Sequence, residues 1–153
     1  MKISKKTDYA LRTLFTLVEY YGHGPVPIRE LATRNQVPKR FLEHIMLELK
    51  SQGWVDSMPG KNGGYILAKA PEEITLGQIT RYFDGILAPI GCVSMSRYQK
   101  CSQEEGCMFR AIMANIRDCA AEIMDRSTLQ GVYLGLYRYS KIYSPTFMNG
   151  DGI

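Results

Sequence analysis

Three of the four cysteines fall in one polar stretch, residues 91–109, "GCVSMSRYQKCSQEEGCMF". Cys92, Cys101 and Cys107 are spaced Cys-x8-Cys-x5-Cys, and the residues between them follow no helical or strand period. Reduced thiols grouped like this point to metal ligation, redox sensing or simple packing. Zinc ribbons and fingers use cysteine pairs two to four residues apart, and neither gap here is that tight. Iron–sulfur clusters accept wider spacing, so three loop thiolates suit such a site better. A cluster needs a fourth ligand. Cys119 is the cysteine left over, but it lies in an apolar heptad, where free cysteine acts as a small hydrophobic side chain. Three free thiols, a thiol redox switch and a zinc-bound form stay open. A thiol enzyme would need a nearby base, and His23 and His44 are both remote from the loop in sequence, so no catalytic residue is expected.

A second group could read nucleic acid. Residues 1–70 carry eleven Lys and Arg against six Asp and Glu, a net of +5, while residues 71–153 carry eight against nine, a net of −1. The excess positive charge sits wholly in the first half, which suggests a lobe that binds a polyanion. Within it, Lys39, Arg40, Glu43 and His44 lie on the polar side of a helical pattern. At the start of a recognition helix, arginine can donate to guanine and glutamate can accept from cytosine, while Lys39 suits phosphate. Lys61 and Asn62 would form the tip of a basic hairpin, and Lys2, Lys5 and Lys6 add further phosphate reach.

These side chains need elements to hold them. Leu11, Leu14, Phe15 and Val18 fall at helical spacing over residues 8–21, with Thr7 or Asp8 able to cap the start and Gly22 to end it. "PIRELATR" reads as a short second helix and "NQVP" as a turn. A third helix opens at Pro38 with the apolar stripe Phe41, Leu42, Ile45, Met46 and Leu49. "WVDSM" and "GYILAK" read as strands around "PGKNGG", whose Asn62-Gly63 pair is a hairpin signal. Thr75 and Gln78 have capping-box spacing for a fourth helix, and Ser127 and Gln130 for a last one through "LQGVYLGLYRY". Between them, Phe109, Ile112, Ile116, Cys119 and Ile123 step by 3, 4, 3 and 4. That is a heptad seam, suited to a helix lying along its twin. The alternative is a seam packed inside the monomer.

The expected fold is therefore mainly α with a small β-wing: a winged helix-turn-helix domain plus a long dimerisation helix. The expected division is residues 1–84 for DNA binding, 85–107 for the cysteine loop, 108–140 for dimerisation helices and 141–153 for a flexible tail. No run of eighteen apolar residues exists, so no membrane span is expected. Asp8, Arg12 and Glu19 interrupt the basic start, unlike a signal peptide. The expectation is a cytoplasmic protein, in which thiols stay reduced.

"MKISKKTDYALRTL", "VPKRFLEHIMLELKSQGWV", "GKNGGYILAKAPEEITLGQI", the three loop cysteines and "STLQGVYL" together resemble the bacterial winged-helix regulators that include IscR, NsrR and RirA. The resemblance covers nearly all of residues 1–135. It implies a homodimer joined through the long helix, bound to a pseudo-palindromic double-stranded DNA operator, usually as a repressor. It implies that Cys92, Cys101 and Cys107 ligate an iron–sulfur cluster sensing iron, nitric oxide or redox state. Arg110 stands where IscR-like proteins have a ligand histidine, so a four-iron cluster is favoured over a two-iron one. NsrR-like members take an aspartate from the other subunit, and Asp8 is the matching residue; it could equally be a helix cap. The eight-residue gap between Cys92 and Cys101 is closer to RirA-like sequences. Many members have an arginine near the start of the wing, where this chain has Met58-Pro59.

Overall fold

A computed structural model describes residues 2–137. The order is α1 (Lys5–Glu19), α2 (Ile28–Asn35), α3 (Lys39–Ser51), β1 (Val55–Met58), β2 (Gly64–Leu67), α4 (Leu76–Asp84), α5 (Arg110–Arg126) and α6 (Leu129–Tyr133). Two short 3₁₀ turns, Gly91–Val93 and Glu104–Gly106, are the only regular structure between α4 and α5. The mainly helical architecture with a small wing is the expected one. The proposed tail, residues 141–153, lies outside the described residues.

The core explains the order of elements. Leu14 of α1, Leu31 of α2, Leu42, Ile45, Met46 and Leu49 of α3, and Ile79 of α4 are fully buried in one cluster. Each such aliphatic side chain contributes about 1.5–3 kcal/mol through burial. Leu129 of α6 is fully buried in the same cluster, so the chain returns from α5 to the first lobe. Two bonds secure that return: the Leu76 amide donates to the Ser127 carbonyl and the Leu129 amide to the Ile74 carbonyl, both at 2.8 Å.

Three local readings are corrected. Ser4 caps α1, not Thr7 or Asp8: its hydroxyl accepts from the Thr7 amide at 3.2 Å. Thr128 caps α6, not Ser127, because the Ser127 hydroxyl is spent on the Ile123 carbonyl at 2.8 Å. Phe41 is 40% exposed, one position off the buried line 42, 45, 46 and 49, and packs edge-on against Tyr9 at 5.8 Å. By contrast, the Thr75–Gln78 capping box forms as expected.

Sequence patterning gave no hint of Asp84. It closes α4 and grips the start of α1, accepting from the Ser4 amide at 2.8 Å and the Thr7 hydroxyl at 2.7 Å. Burial works against its charge, but these donors outweigh burial and hold the carboxyl below its ordinary value. Its stabilisation therefore exists above the unfolded carboxylate pKa and fades as pH falls through the folded one. Asp84→Ala should cost about 1–3 kcal/mol at pH 7 by leaving both donors unpaired. Urea titrations should show the gap to the parent closing as the pH falls below about 4.

Candidate nucleic-acid interface and cysteine loop

The helix-turn-helix turn is tight. Gln36 adopts a left-handed conformation (φ 54°), and the Val37 amide donates back to the Ala32 carbonyl at 3.0 Å. Pro38 then stands at the start of α3. With Leu42, Ile45, Met46 and Leu49 turned inward, Lys39, Arg40 and His44 are exposed and Glu43 is half-buried. Lys39 and Glu43 pair along the helix at 3.4 Å. Arg40 has no ion-pair partner among the described residues, and it shares a line with His44 and Leu47, which is 61% exposed.

The wing is joined firmly to this helix. Lys50, in the last turn of α3, pairs with Asp56 of β1 at 2.9 Å. That Lys50 bond, with the Ser57 amide, holds the Asp56 carboxyl below its ordinary value. The strands pair Val55 with Leu67 and Met58 with Gly64, which leaves five residues in the connection. Asn62-Gly63 lies within this connection, so the hairpin it signals forms with a five-residue loop. The left-handed position is Gly60 (φ 114°), and the Gly63 amide donates to the Gly60 carbonyl at 3.0 Å. Lys61 and Asn62 are exposed at the tip. Val26 and Tyr65 exchange two backbone bonds of 2.9 Å, so the wing is tied to the segment entering α2. Only glycine fits at position 64, since a Cβ there would lie 2.3 Å from the Val26 carbonyl oxygen. Of the N-terminal lysines, Lys2 and Lys5 are exposed, while Lys6 is engaged with Glu48 at 2.7 Å.

The cysteine loop has a different character. Cys92 is 7% exposed, Cys107 is half-buried and Cys101 is exposed. Among the described residues, no three His, Cys, Asp or Glu side chains are grouped to hold a metal ion. Within the single chain, the three loop thiols are therefore not assembled as one ligand set. Asp8 is half-exposed on α1, and its carboxylate pairs with Arg12 at 2.7 Å. The residues that do converge lie between and beyond the cysteines. Arg110 donates to the Cys92 carbonyl at 3.2 Å and pairs with Glu104 at 2.7 Å, and the Tyr98 hydroxyl donates to Glu104 at 2.6 Å. That hydroxyl, then Arg110, hold the Glu104 carboxyl below its ordinary value, while Glu104 raises the Tyr98 phenol. Arg117 donates to the Val93 carbonyl at 2.6 Å.

Helix α5 connects loop and lobe. Its 17 residues span about 25 Å. Gly77 lets α5 approach α4, since a Cβ there would lie 2.9 Å from the Asp125 amide nitrogen. Arg81 grips Asp125 with bonds of 2.8 and 2.6 Å. Met113, Ala120, Ala121 and Met124 are half-buried on one side of the helix. The heptad seam faces solvent: Ile112 is 57%, Ile116 42% and Ile123 61% exposed, and Cys119 is exposed with them. The alternative of a seam packed inside the monomer is excluded for these residues. None of the described helices is long and apolar enough to cross a membrane.

A family model described as "Rrf2: Iron-dependent Transcriptional regulator" matches residues 3–134. An rrf2-like HTH-type transcriptional regulator of Rhodobacter capsulatus is 40% identical over 134 residues, covering 84% of this chain and 89% of its own. The HTH-type regulator CymR of Bacillus subtilis is 32% identical, covering 85% and 88%. Its solved structure, titled as that of the global cysteine regulator, superposes with a TM-score of 0.74 over 88% of this chain and 98% of that one. The T. potens IscR structure gives 0.69 at 25% identity, covering 96% of each. The sequence relatives are named as regulators, which sets this chain apart from enzymes.

Proposed function

The chain belongs to the Rrf2 family of transcriptional regulators, and from that premise we propose that it binds a pseudo-palindromic operator as a homodimer and represses transcription, with the cysteine loop as its control element. One observation carries the DNA part: the exposed face of α3, with Lys39, Arg40, Glu43 and His44, is braced by Lys50–Asp56 against a wing that ends in Lys61 and Asn62. Arg40 is the base-reading side chain, and Lys39 and Lys61 hold phosphate. The exposed seam of α5 is the surface for the second copy.

The geometry also supports a route of control. A dimer presents two recognition helices whose separation must match two half-sites about one helical turn apart. Helix α5 holds the Cys92 and Val93 carbonyls through Arg110 and Arg117, and holds α4 through Arg81–Asp125. A change in the loop thus reaches the DNA-binding lobe through one rigid helix. Selection of bound duplexes from a random-sequence pool should enrich inverted half-sites with that spacing. Binding without enrichment would reject operator recognition.

The finer reading is that an iron–sulfur cluster, four-iron rather than two-iron, exercises this control on Cys92, Cys101 and Cys107, with Asp8 of a second copy as fourth ligand. The donor set supports it: three thiolates and a carboxylate suit iron. No three such side chains are grouped among the described residues of the single chain, and the second reading is a cluster-free or zinc-bound regulator that uses its thiols as a redox switch. Protein purified without oxygen from iron-replete cells separates the two. A visible charge-transfer spectrum with matching iron and sulfide supports the cluster. A colourless protein free of both leaves the thiol reading. If a cluster forms, Asp8→Ala should shorten its lifetime, and an unchanged spectrum and lifetime would remove Asp8 as a ligand.

A further inference from the structure

We propose that Arg110 is a positioning residue that latches the cysteine loop closed, holding Cys92, Cys101 and Cys107 apart, so that joint ligation of the three thiols requires the latch to open. It rests on the loop being the control element only for its consequence, not for its test.

Reading along the chain, Cys92, Tyr98, Cys101, Glu104, Cys107 and Arg110 alternate between thiols and polar groups. The polar groups meet. Arg110 reaches back eighteen residues to the Cys92 carbonyl and six to Glu104, and Tyr98 closes on the other oxygen of Glu104. The three thiols are not grouped as a metal-binding set among the described residues. A metal centre would reverse this, since it needs each sulfur about 2.3 Å from the metal.

Two further observations fit a latch that opens. The Arg110 Nε is buried without a partner among the described residues, so the closed form leaves one donor unpaired. Glu104 is the more buried partner, with 19% of its side chain exposed against 43% for Arg110, so losing the cation would strand a carboxylate. The Tyr98 hydroxyl cannot replace the charge. Opening is also felt beyond the loop. The adjacent Val93 carbonyl is held by Arg117, two turns further along α5, on the helix whose seam is the proposed dimer surface.

The test uses the full chain, metal-free and reduced, with peptide-resolved alkylation by N-ethylmaleimide. In the parent protein Cys92 should react about tenfold or more slowly than exposed Cys101, because modification needs local opening. Arg110→Ala should raise the Cys92 rate about fivefold or more, with Glu104→Gln giving a smaller rise. Arg110→Lys keeps the ion pair but loses the fork, so its rate should fall between parent and alanine. The rates at Cys101 and Cys119 should not change. Equal Cys92 and Cys101 rates in the parent, or no change at Cys92 in Arg110→Ala, would overturn the latch. So would a parallel rise at Cys119, which would report general loosening. The readout involves neither DNA nor iron, so failure of operator binding leaves it intact.

Discussion

Ile116→Glu should turn the proposed homodimer into a monomer and weaken operator binding by roughly a hundred- to ten-thousand-fold, the range gained when two binding modules are joined. Ile116 sits midway along the exposed seam of α5, between Ile112 and Ile123. In the proposed two-fold dimer the substitution would place two carboxylates in an apolar contact, each desolvated and unpaired. In the single chain the residue is 42% exposed and outside the core cluster. The fold should therefore be little changed, within about 0.5 kcal/mol for a surface substitution. Sedimentation equilibrium and fluorescence anisotropy on the selected duplex give the two readouts. A dimer of unchanged mass and affinity would show that the seam is not the interface.

Arg40→Ala should have the next largest effect. Arg40 is exposed in the first turn of α3 and has no ion-pair partner among the described residues, so its five donors are available to a base. Loss of one bidentate contact costs about 1–3 kcal/mol per half-site. A symmetric dimer loses two, about 2–6 kcal/mol, or roughly thirty- to twenty-thousand-fold in affinity. Specificity should relax at one base pair of each half-site. Lys61→Ala should behave differently, weakening all sequences alike and lowering the salt slope by about one per subunit. Glu43 should matter less than Arg40, because Lys39 already partners it at 3.4 Å. Anisotropy on the selected duplex and its single-base variants, at fixed salt, separates these cases. Arg40→Ala that retains full affinity and preference would remove Arg40 from base reading.

Much of this molecule is written locally. The apolar line Leu42, Ile45, Met46 and Leu49 forces α3 to turn Lys39, Arg40 and His44 outward. A capping box marks α4 from two residues alone, because both bonds are made within one turn. Signals that depended on a choice between neighbours were less secure. Ser4 and Thr7 both offer a hydroxyl near the start of α1, and Asp84, eighty residues away, takes the Thr7 hydroxyl and leaves Ser4 to cap. Likewise Asn62-Gly63 marks the hairpin, but the strand register decides that β2 starts at Gly64 and that the turn closes through the Gly63 amide on the Gly60 carbonyl. Register is set by pairing with β1 and by the bridge to Val26, neither of which is visible in a dipeptide.

The sequence by itself determined the elements, the polar face of the recognition helix and the apolar seam of α5, because periodicity fixes which side chains share a face. It also supplied candidate ligands, three thiols in one loop and, by the family resemblance, Asp8 near the chain's start. Only the tertiary structure decided what that loop does with its residues. Contacts between Arg110 and Cys92, eighteen positions apart, or between Gly77 and Asp125, depend on how α5 crosses α4. Spacing counts residues along the chain; it does not say which of two alternating sets, thiols or polar groups, will meet when the loop closes.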